Sequence, residues 1–118
     1  YTPKASLKMD GQKQVTYPRK NWSSCMLFNC SHISNKMLTP EVVSSESGAW
    51  LHRFKWLHDN QIGGLPEEWN WLEGEYEKPD IPPAVIHYTN GGPWFENCQD
   101  VDYADLWREA YEEATKIR

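Results

Sequence analysis

The sequence predicts a mixed α/β fold. Two short apolar segments, residues 22–29 and 84–88, have the composition of buried strands. A Thr-Pro-Glu helix start lies between them, and an amphipathic helix ends the chain. Because helices and strands do not alternate strictly, we expect the strands to form only part of a sheet. A chain of 118 residues has room for one modest core, so residues 1–118 are taken as a single, partial domain.

The first part of the chain predicts loops and two strands. Residues 1–14 are polar and are expected to form an exposed loop. Residues 14–17 predict a short strand that ends at Pro18. Residues 22–29 contain an almost continuous apolar stretch, residues 25–28, which predicts a strand covered on both faces.

Two short helices are predicted next. Thr39 is the expected N-cap of a helix that has Pro40 in its first position and stops before Gly48. Residues 49–57 predict a second helix, whose apolar face carries Trp50, Phe54 and Leu57. The glycine pair and the proline of residues 59–66 then predict a loop.

The second half of the chain predicts two strands and a long helix. Residues 69–72 and 84–88 are the strands, joined by a polar, proline-rich connector at 73–83. Asp100 or Asp102 is the expected helix cap. The apolar stripe of this helix, which we expect to be core, is Tyr103, Leu106, Trp107, Ala110, Tyr111, Ala114 and Ile117.

Composition argues against several classes of partner. The net charge is −5 and Lys and Arg are not clustered, so nucleic acid and membrane surfaces are not expected partners. No apolar run approaches the ~20 residues that cross a bilayer. Seven Trp, six Tyr and three Phe are many for this length. Aromatic rings build cores from few residues, and they also stack on sugar rings.

The three cysteines, Cys25, Cys30 and Cys98, cannot all pair with one another. An odd number without a secretory signal indicates reduced thiols, so we expect a cytoplasmic protein. Cys25, Cys30 and His32 lie close together in sequence, although their spacing is not a usual zinc pattern. A small zinc protein is therefore kept as a third interpretation of the chain.

The segment that begins at Ile86 is the most informative about chemistry. His87 ends a predicted buried strand, where α/β proteins place ligand sites, and a neutral imidazole is a good ligand for a divalent metal. Gly91 and Gly92 let the backbone approach a ligand and direct amide groups at phosphate. A hydrogen-bonded structural histidine is the alternative interpretation.

This segment resembles the C-terminal signature of family-8-type glycosyltransferases, in which a His is followed shortly by Gly and then by Pro-Trp. The resemblance implies that His87 joins an Asp-x-Asp pair in holding Mn²⁺ or Mg²⁺ on the diphosphate of a nucleotide-sugar. It also assigns Gly91, Gly92 and Trp94 to the donor and phosphate site. Gly92 stands where the family usually has a lysine.

The strand predicted at residues 22–29 also supports the resemblance. With the preceding Asn21 it resembles the family strand that borders the donor sugar, which assigns Ser23 and Ser24 to the sugar hydroxyls. Small strand residues that permit close packing are the structural alternative.

The segment that starts at Asp59 resembles the family's Asp-Gln, Leu-Pro and Trp-Asn elements. Asp59 and Gln61 are therefore the implied catalytic residues, and Asn70 is an implied donor-site residue. A turn cap at Asp59 and an amide at Asn70 that satisfies backbone groups are the structural alternatives.

The resemblance covers about residues 1–107 and implies the C-terminal half of a GT-A, Rossmann-like domain without its N-terminal nucleotide-binding half. The Asp-x-Asp at residues 100–102 follows His87 and so lies on the wrong side of it for the family pattern. We therefore expect the remaining metal ligands outside this chain, and we expect the chain alone to be inactive. The whole enzyme is expected to transfer a sugar, with retention, from a UDP-sugar to a hydroxyl acceptor.

A non-catalytic carbohydrate-binding or interaction module is the rival interpretation. It follows from the many aromatic residues and from the incomplete catalytic set. It predicts sugar binding without metal or nucleotide, with Trp94 or Trp69 stacking on the sugar.

Overall fold

A computed structural model describes residues 1–4, 6–8 and 11–116 of the chain. The chain divides into two compact units. Unit 1 comprises Tyr1–Thr2 and Val15–Leu65, and unit 2 comprises Pro3–Gln14 and Pro66–Arg118. The mixed α/β class is confirmed, while the prediction of a single domain stays a prediction. Within the described ranges, no helix has the length and apolar character needed to cross a membrane.

Unit 1 contains two short helices, α1 (Pro40–Ser45) and α2 (Gly48–His52). Thr39 is the N-cap of α1, as predicted, and its hydroxyl accepts a hydrogen bond from the N–H of Val42 at 3.3 Å. α2 is shorter than the helix predicted at 49–57. Phe54 has φ 48°, a left-handed conformation that a right-handed helix cannot continue through.

The two strands predicted near the start of the chain, at 14–17 and 22–29, are wrong. Trp22–Ser24 is a turn of 3-10 helix, and the residues after it are irregular. Asn21 is left-handed with φ 65°, and the Ser24 hydroxyl donates to the Asn21 carbonyl. Such local hydrogen bonds compete with a strand ladder. The apolar side chains expected to be covered are exposed: Met26 by 49%, Leu27 by 84% and Phe28 by 39%.

The core of unit 1 is a small aromatic group around Phe54. Phe54 is buried, and its ring meets the edge of Trp56 with centroids 5.6 Å apart. Trp56 lies 5.3 Å from Trp50 and donates a hydrogen bond to Asn35 Oδ1 at 3.2 Å. Residues 59–66, predicted as a loop, include a turn of 3-10 helix at Asp59–Gln61.

Unit 2 is organised by two short strands, β1 (Trp71–Leu72) and β2 (Ile86–His87). Both lie within the strands predicted at 69–72 and 84–88, which were longer than the observed ones. They pair in parallel, with Trp71 opposite Ile86 and Leu72 opposite His87. Trp71 and Leu72 are each only 1% exposed. The Trp71 ring meets Tyr103 edge-on at 5.3 Å, and its Nε1 donates to the Glu77 carbonyl at 3.0 Å.

Unit 2 ends in α3 (Ala104–Lys116), which confirms the predicted last helix. Its apolar stripe is not the core that was expected, because Leu106 is 43% and Tyr111 is 57% exposed. Ile117 lies outside the described residues. The carboxylate of Asp102, a predicted cap, pairs instead with Lys78 at 2.7 Å.

Candidate functional site

The residues predicted to form the site are divided between the two units. Those in unit 1 are Ser23, Ser24, Asp59 and Gln61, and those in unit 2 are Asn70, His87, Gly91, Gly92 and Trp94. We call the unit 2 group the β2-end site, because His87 is the last residue of β2.

Within the β2-end site, Asn70 and His87 are in direct contact. Asn70 lies just before β1, and the parallel pairing of β1 with β2 brings it beside the imidazole. His87 Nδ1 is 3.1 Å from Asn70 Oδ1. An amide oxygen only accepts, so this geometry assigns the proton to Nδ1 and leaves the lone pair on Nε2. A partner that fixes the tautomer in this way is common for histidines that bind metals.

The environment of His87 keeps its imidazole neutral. Burial, and to a smaller extent the positive charge of Lys8, lower the pKa of His87 below its ordinary value. The carbonyl of His87 accepts from the N–H of Glu73 at 3.1 Å and from the N–H of Thr89 at 2.8 Å, which fixes its backbone. The histidine is therefore positioned, neutral and an acceptor at Nε2, as a metal ligand must be.

The loop after β2 depends on its two glycines. Gly91 has φ 141°, a backbone conformation that L side chains rarely adopt. A Cβ atom on Gly92 would lie 2.1 Å from the ring of Trp94, so no larger residue fits without moving that indole. Gln99 Nε2 donates to the carbonyls of Pro93 and Phe95, at 2.8 and 2.9 Å. These hydrogen bonds hold the C-terminal part of the loop in place.

Trp94 presents a supported aromatic surface. It is 51% exposed, although its ring meets Tyr88 edge-on at 5.9 Å and tilts against Trp107 at 5.7 Å. Trp107 in turn stacks on Tyr111 at 5.2 Å. An indole that is half-exposed and packed against neighbouring rings can stack on a ligand.

Two buried carboxylates at the end of β1 were missed by the sequence reasoning. Glu73 is 8% and Glu75 is 5% exposed. Glu73 Oε1 accepts from the N–H of Asp102 at 3.3 Å, and Glu75 Oε1 accepts from Asn90 Nδ2 at 2.9 Å. Burial, with repulsion from Asp102 and Glu75, raises the pKa of Glu73. The available signal was a Glu-x-Glu pair directly after a strand, which was interpreted as a polar connector.

The implied catalytic residues of unit 1 take part in structural contacts. Asp59 Oδ1 accepts from Arg19 Nη2 at 2.6 Å, and the Asp59 side chain is 88% exposed. Gln61 Oε1 accepts from the N–H of His58 at 2.8 Å, while its Nε2 donates to Ser34 Oγ at 3.1 Å. These contacts stabilise the turn at Asp59–Gln61, and a catalytic role for both residues stays a prediction.

Ser23 lies at an apolar cavity in unit 1. Its hydroxyl is 2.8 Å from His52 Nδ1, while the neighbouring Ser24 caps its own turn through the Asn21 carbonyl. The cavity has a volume of about 220 Å³ and is lined by Ser23, Met26, Phe28, Leu38, Val43, Leu51, His52 and Trp56. Its lining is mostly apolar, whereas a sugar would require several hydrogen-bonding groups.

The described residues contain no group of three or more His, Cys, Asp or Glu side chains placed to hold one metal ion. The three cysteines form no disulfide in the structure. His32, part of the alternative zinc interpretation, instead accepts the N–H of Ser34 at its Nδ1, at 3.3 Å.

Comparison with known proteins found one informative relative. The chain is 53% identical over 120 residues to a protein called Protein CDI from Arabidopsis thaliana. The match includes 98% of this chain and 46% of that protein, so the chain spans about half the length of the relative. No family model matches the chain, and no solved structure matches it.

These findings correct the family assignment. The resemblance to the C-terminal part of a family-8-like, GT-A glycosyltransferase is wrong, because the extended match is to Protein CDI, whose name does not indicate a glycosyltransferase. The motifs behind the resemblance, such as Gly-Gly-Pro-Trp, Leu-Pro and Trp-Asn, are short. Their physical role here is visible without that family, since Gly92 makes room for Trp94 and Asn70 orients His87.

Proposed function

We propose that the protein containing this chain transfers a sugar from a nucleotide-sugar donor, such as a UDP-sugar, to a hydroxyl acceptor. The observation that supports the proposal is the contact between Asn70 and His87 at the end of β2. It gives a neutral imidazole with the lone pair on Nε2, at the end of the strand where α/β proteins bind ligands. The glycine loop that follows supplies backbone N–H groups of the kind that bind diphosphate.

The β2-end site fits one metal ligand. His87 has the tautomer and the neutral charge that Mn²⁺ or Mg²⁺ requires of an imidazole, and Asn70 holds its orientation. Either ion, when bound, would stabilise the negative charge on the departing diphosphate. Among the described residues, His87 is the metal ligand that the proposal assigns.

The other residues receive roles in the same proposal. Gly91 and Gly92 approach the diphosphate, and Trp94 stacks on the donor.

The decisive experiment is replacement of His87 in the complete protein. We expect His87→Ala to lower Mn²⁺-dependent turnover of a UDP-sugar by at least roughly hundredfold. Loss of the residue that binds the metal should cost more than loss of Asn70, which only orients that residue. Asn70→Ala, which keeps the imidazole but frees its orientation, should cost about 10–100-fold in metal affinity. Titration of Mn²⁺ in the presence of UDP measures this affinity without turnover.

His32→Ala is the matched control, because it removes an imidazole to which no role in the reaction is assigned. It should leave both turnover and Mn²⁺ affinity unchanged. Near wild-type turnover by the His87→Ala variant would show that His87 is not part of the site. Absence of nucleotide-sugar turnover in the complete protein would contradict the proposed function.

A second function, carbohydrate binding without catalysis, is favoured by the exposed tryptophans. Trp94 is 51% and Trp69 is 46% exposed in unit 2, and the ring of Trp94 packs against those of Tyr88 and Trp107. Aromatic surfaces of this kind stack on the apolar faces of sugars.

A glycan panel screened in excess EDTA tests this second function. Binding without metal or nucleotide, weakened about tenfold by Trp94→Ala and unchanged by Trp22→Ala, would support it. Trp22 is a suitable control because it is 44% exposed and lies in the other unit. Failure to bind any glycan counts against it.

A further inference from the structure

The apolar cavity of unit 1 has its polar lining residues in one place. These residues are Ser23 and His52, and the Ser23 hydroxyl is 2.8 Å from His52 Nδ1. The other six lining residues are apolar, and in the described part of the chain no Asp or Glu lines the cavity. A concave, mostly apolar site with a few polar groups is typical of small-molecule binding sites. We call it the Ser23 cavity.

The side of the cavity formed by Trp56 is held in place by contacts within unit 1. The indole N–H of Trp56 donates to Asn35 Oδ1 at 3.2 Å, and its ring packs against Trp50 at 5.3 Å and Phe54 at 5.6 Å. Met26, which also lines the cavity, has an unbranched side chain that adapts to the shape of a ligand. The cavity is therefore formed without a ligand and can still adjust to one.

The cavity leaves apolar surface in contact with water. Met26 is 49%, Phe28 is 39% and Val43 is 43% exposed. The apolar part of a ligand would remove this surface from water, which is favourable. The cavity volume of about 220 Å³ exceeds the roughly 150 Å³ of an apolar cavity that binds benzene, so the Ser23 cavity has room for a chain of roughly eight carbon atoms.

The polar pair favours a ligand group that accepts hydrogen bonds. When Nδ1 of His52 donates to the Ser23 oxygen, the hydroxyl hydrogen can be directed at an acceptor on the ligand. A carboxylate is the strongest such acceptor, because hydrogen bonds to a charged oxygen are stronger than neutral ones. Since His52 is exposed, a carboxylate beside it stays in contact with water and escapes most of the cost of burying a charge.

We propose that the Ser23 cavity binds a medium-chain aliphatic carboxylate. The chain of the ligand lies against the apolar lining, and its carboxylate accepts a hydrogen bond from the Ser23 hydroxyl, which His52 orients. The site is separate from the proposed sugar transfer, because the cavity lies in unit 1 and shares no residue with the β2-end site of unit 2. Binding in the cavity therefore succeeds or fails whatever the outcome at His87.

Calorimetric titration of the purified protein with sodium octanoate, at constant ionic strength, tests the proposal. We expect one binding site, with affinity about tenfold lower in Ser23→Ala, which loses the donor to the carboxylate. Ser45→Ala is the matched control, since it removes an exposed hydroxyl of α1 that does not line the cavity, and it should change the affinity less than about twofold.

Two further ligands separate the contributions of the chain and of the carboxylate. Butyrate has four fewer methylene groups than octanoate and should bind at least roughly tenfold more weakly. The neutral 1-octanol has the same chain length and should bind severalfold more weakly than octanoate, because it lacks the charged acceptor.

A readout without mutation covers the case in which Ser23→Ala fails to fold. Octanoate should shift the methyl resonances of Val43 and Leu51 in the ¹H–¹³C spectrum and leave those of Leu106 in place, an exposed apolar residue of unit 2. Absence of binding, equal affinities for octanoate and butyrate, or equal shifts at Leu51 and Leu106 would each overturn the proposal. Equal weakening by Ser23→Ala and Ser45→Ala, or binding of 1-octanol as tight as that of octanoate, would also overturn it.

Discussion

Unit 1 and unit 2 bury side chains of opposite charge. In unit 2, Trp71 and Leu72 are fully buried, and two carboxylates, Glu73 and Glu75, are buried beside them in the chain. In unit 1 the buried charge is a cation, Lys20. Exposed apolar side chains occur in both units, such as Leu27 at 84% in unit 1 and Ile81 at 80% in unit 2. The net charges follow the same division, because unit 2 holds fourteen of the seventeen acidic residues of the chain.

The two units differ in the interactions that stabilise them. Unit 2 gains its stability mainly from removing a large indole from water, with one hydrogen bond to satisfy the indole N–H. Unit 1 has few buried apolar groups and relies on Arg19, which fastens three carbonyls and one carboxylate. Apolar burial should therefore dominate the free energy of unfolding in unit 2, and directional hydrogen bonds should dominate in unit 1.

The largest expected effect is on unit 2. Trp71→Ala should lower the free energy of unfolding by about 3–5 kcal/mol, because it removes a fully buried indole. Trp69→Ala is the matched control two residues away, and it should cost less than about 1 kcal/mol since that ring is 46% exposed. Urea unfolding followed by circular dichroism measures both. Equal losses would show that unit 2 does not depend on the buried indole.

A smaller loss in the free energy of unfolding is expected from Arg19→Met, which keeps the apolar part of the side chain and removes its hydrogen-bond donors. The carbonyls of Arg53, Phe54 and Leu57 lose the hydrogen bonds from Arg19, at a cost of roughly 2–3 kcal/mol. Hydrogen exchange should accelerate at residues 53–59 and stay unchanged at 71–76. Asp59→Asn should cost less than about 1 kcal/mol, because that carboxylate is 88% exposed. Equal acceleration of hydrogen exchange in both units would show that Arg19 does not stabilise unit 1 selectively.

The smallest expected effect is on the pH dependence of the free energy of unfolding, through Glu73. Burial raises the pKa of Glu73 in the folded chain, so the folded state binds the proton more tightly than the unfolded state does. Stability contributed by the protonated carboxyl is present below the unfolded pKa and is lost as pH rises through the folded pKa. The wild type should therefore gain stability relative to Glu73→Gln as pH falls from neutral into the carboxyl range.

Thermal unfolding of both proteins across that pH range provides the measurement. Asp102→Asn keeps the N–H donor and removes one repulsive charge, so its pH dependence should be shallower than that of the wild type. A constant difference between wild type and Glu73→Gln at every pH would show that Glu73 titrates alike in the folded and unfolded states.

The candidate site was predictable only in part. A histidine at the end of a strand with a glycine loop after it indicated the position of the β2-end site, because that pattern is local in sequence. The partner of His87, Asn70, was singled out for another reason, and their contact across 17 residues exists only because β1 and β2 pair in parallel. Glu73 and Glu75 were overlooked, since nothing in a polar segment shows that its carboxylates will be buried.

The sequence by itself determined the mixed α/β class, the cap of α1 at Thr39, the two strands of unit 2 and the last helix. Each of these depends on residues within one or two turns of one another, where propensity and capping act. Only the tertiary structure decided that residues 26–28 stay exposed, that the apolar stripe of α3 is largely open and that Arg19 fastens residues 53–59. Burial depends on what packs across long separations in sequence, and a hydrophobic pattern records which side chains favour burial without recording what will cover them.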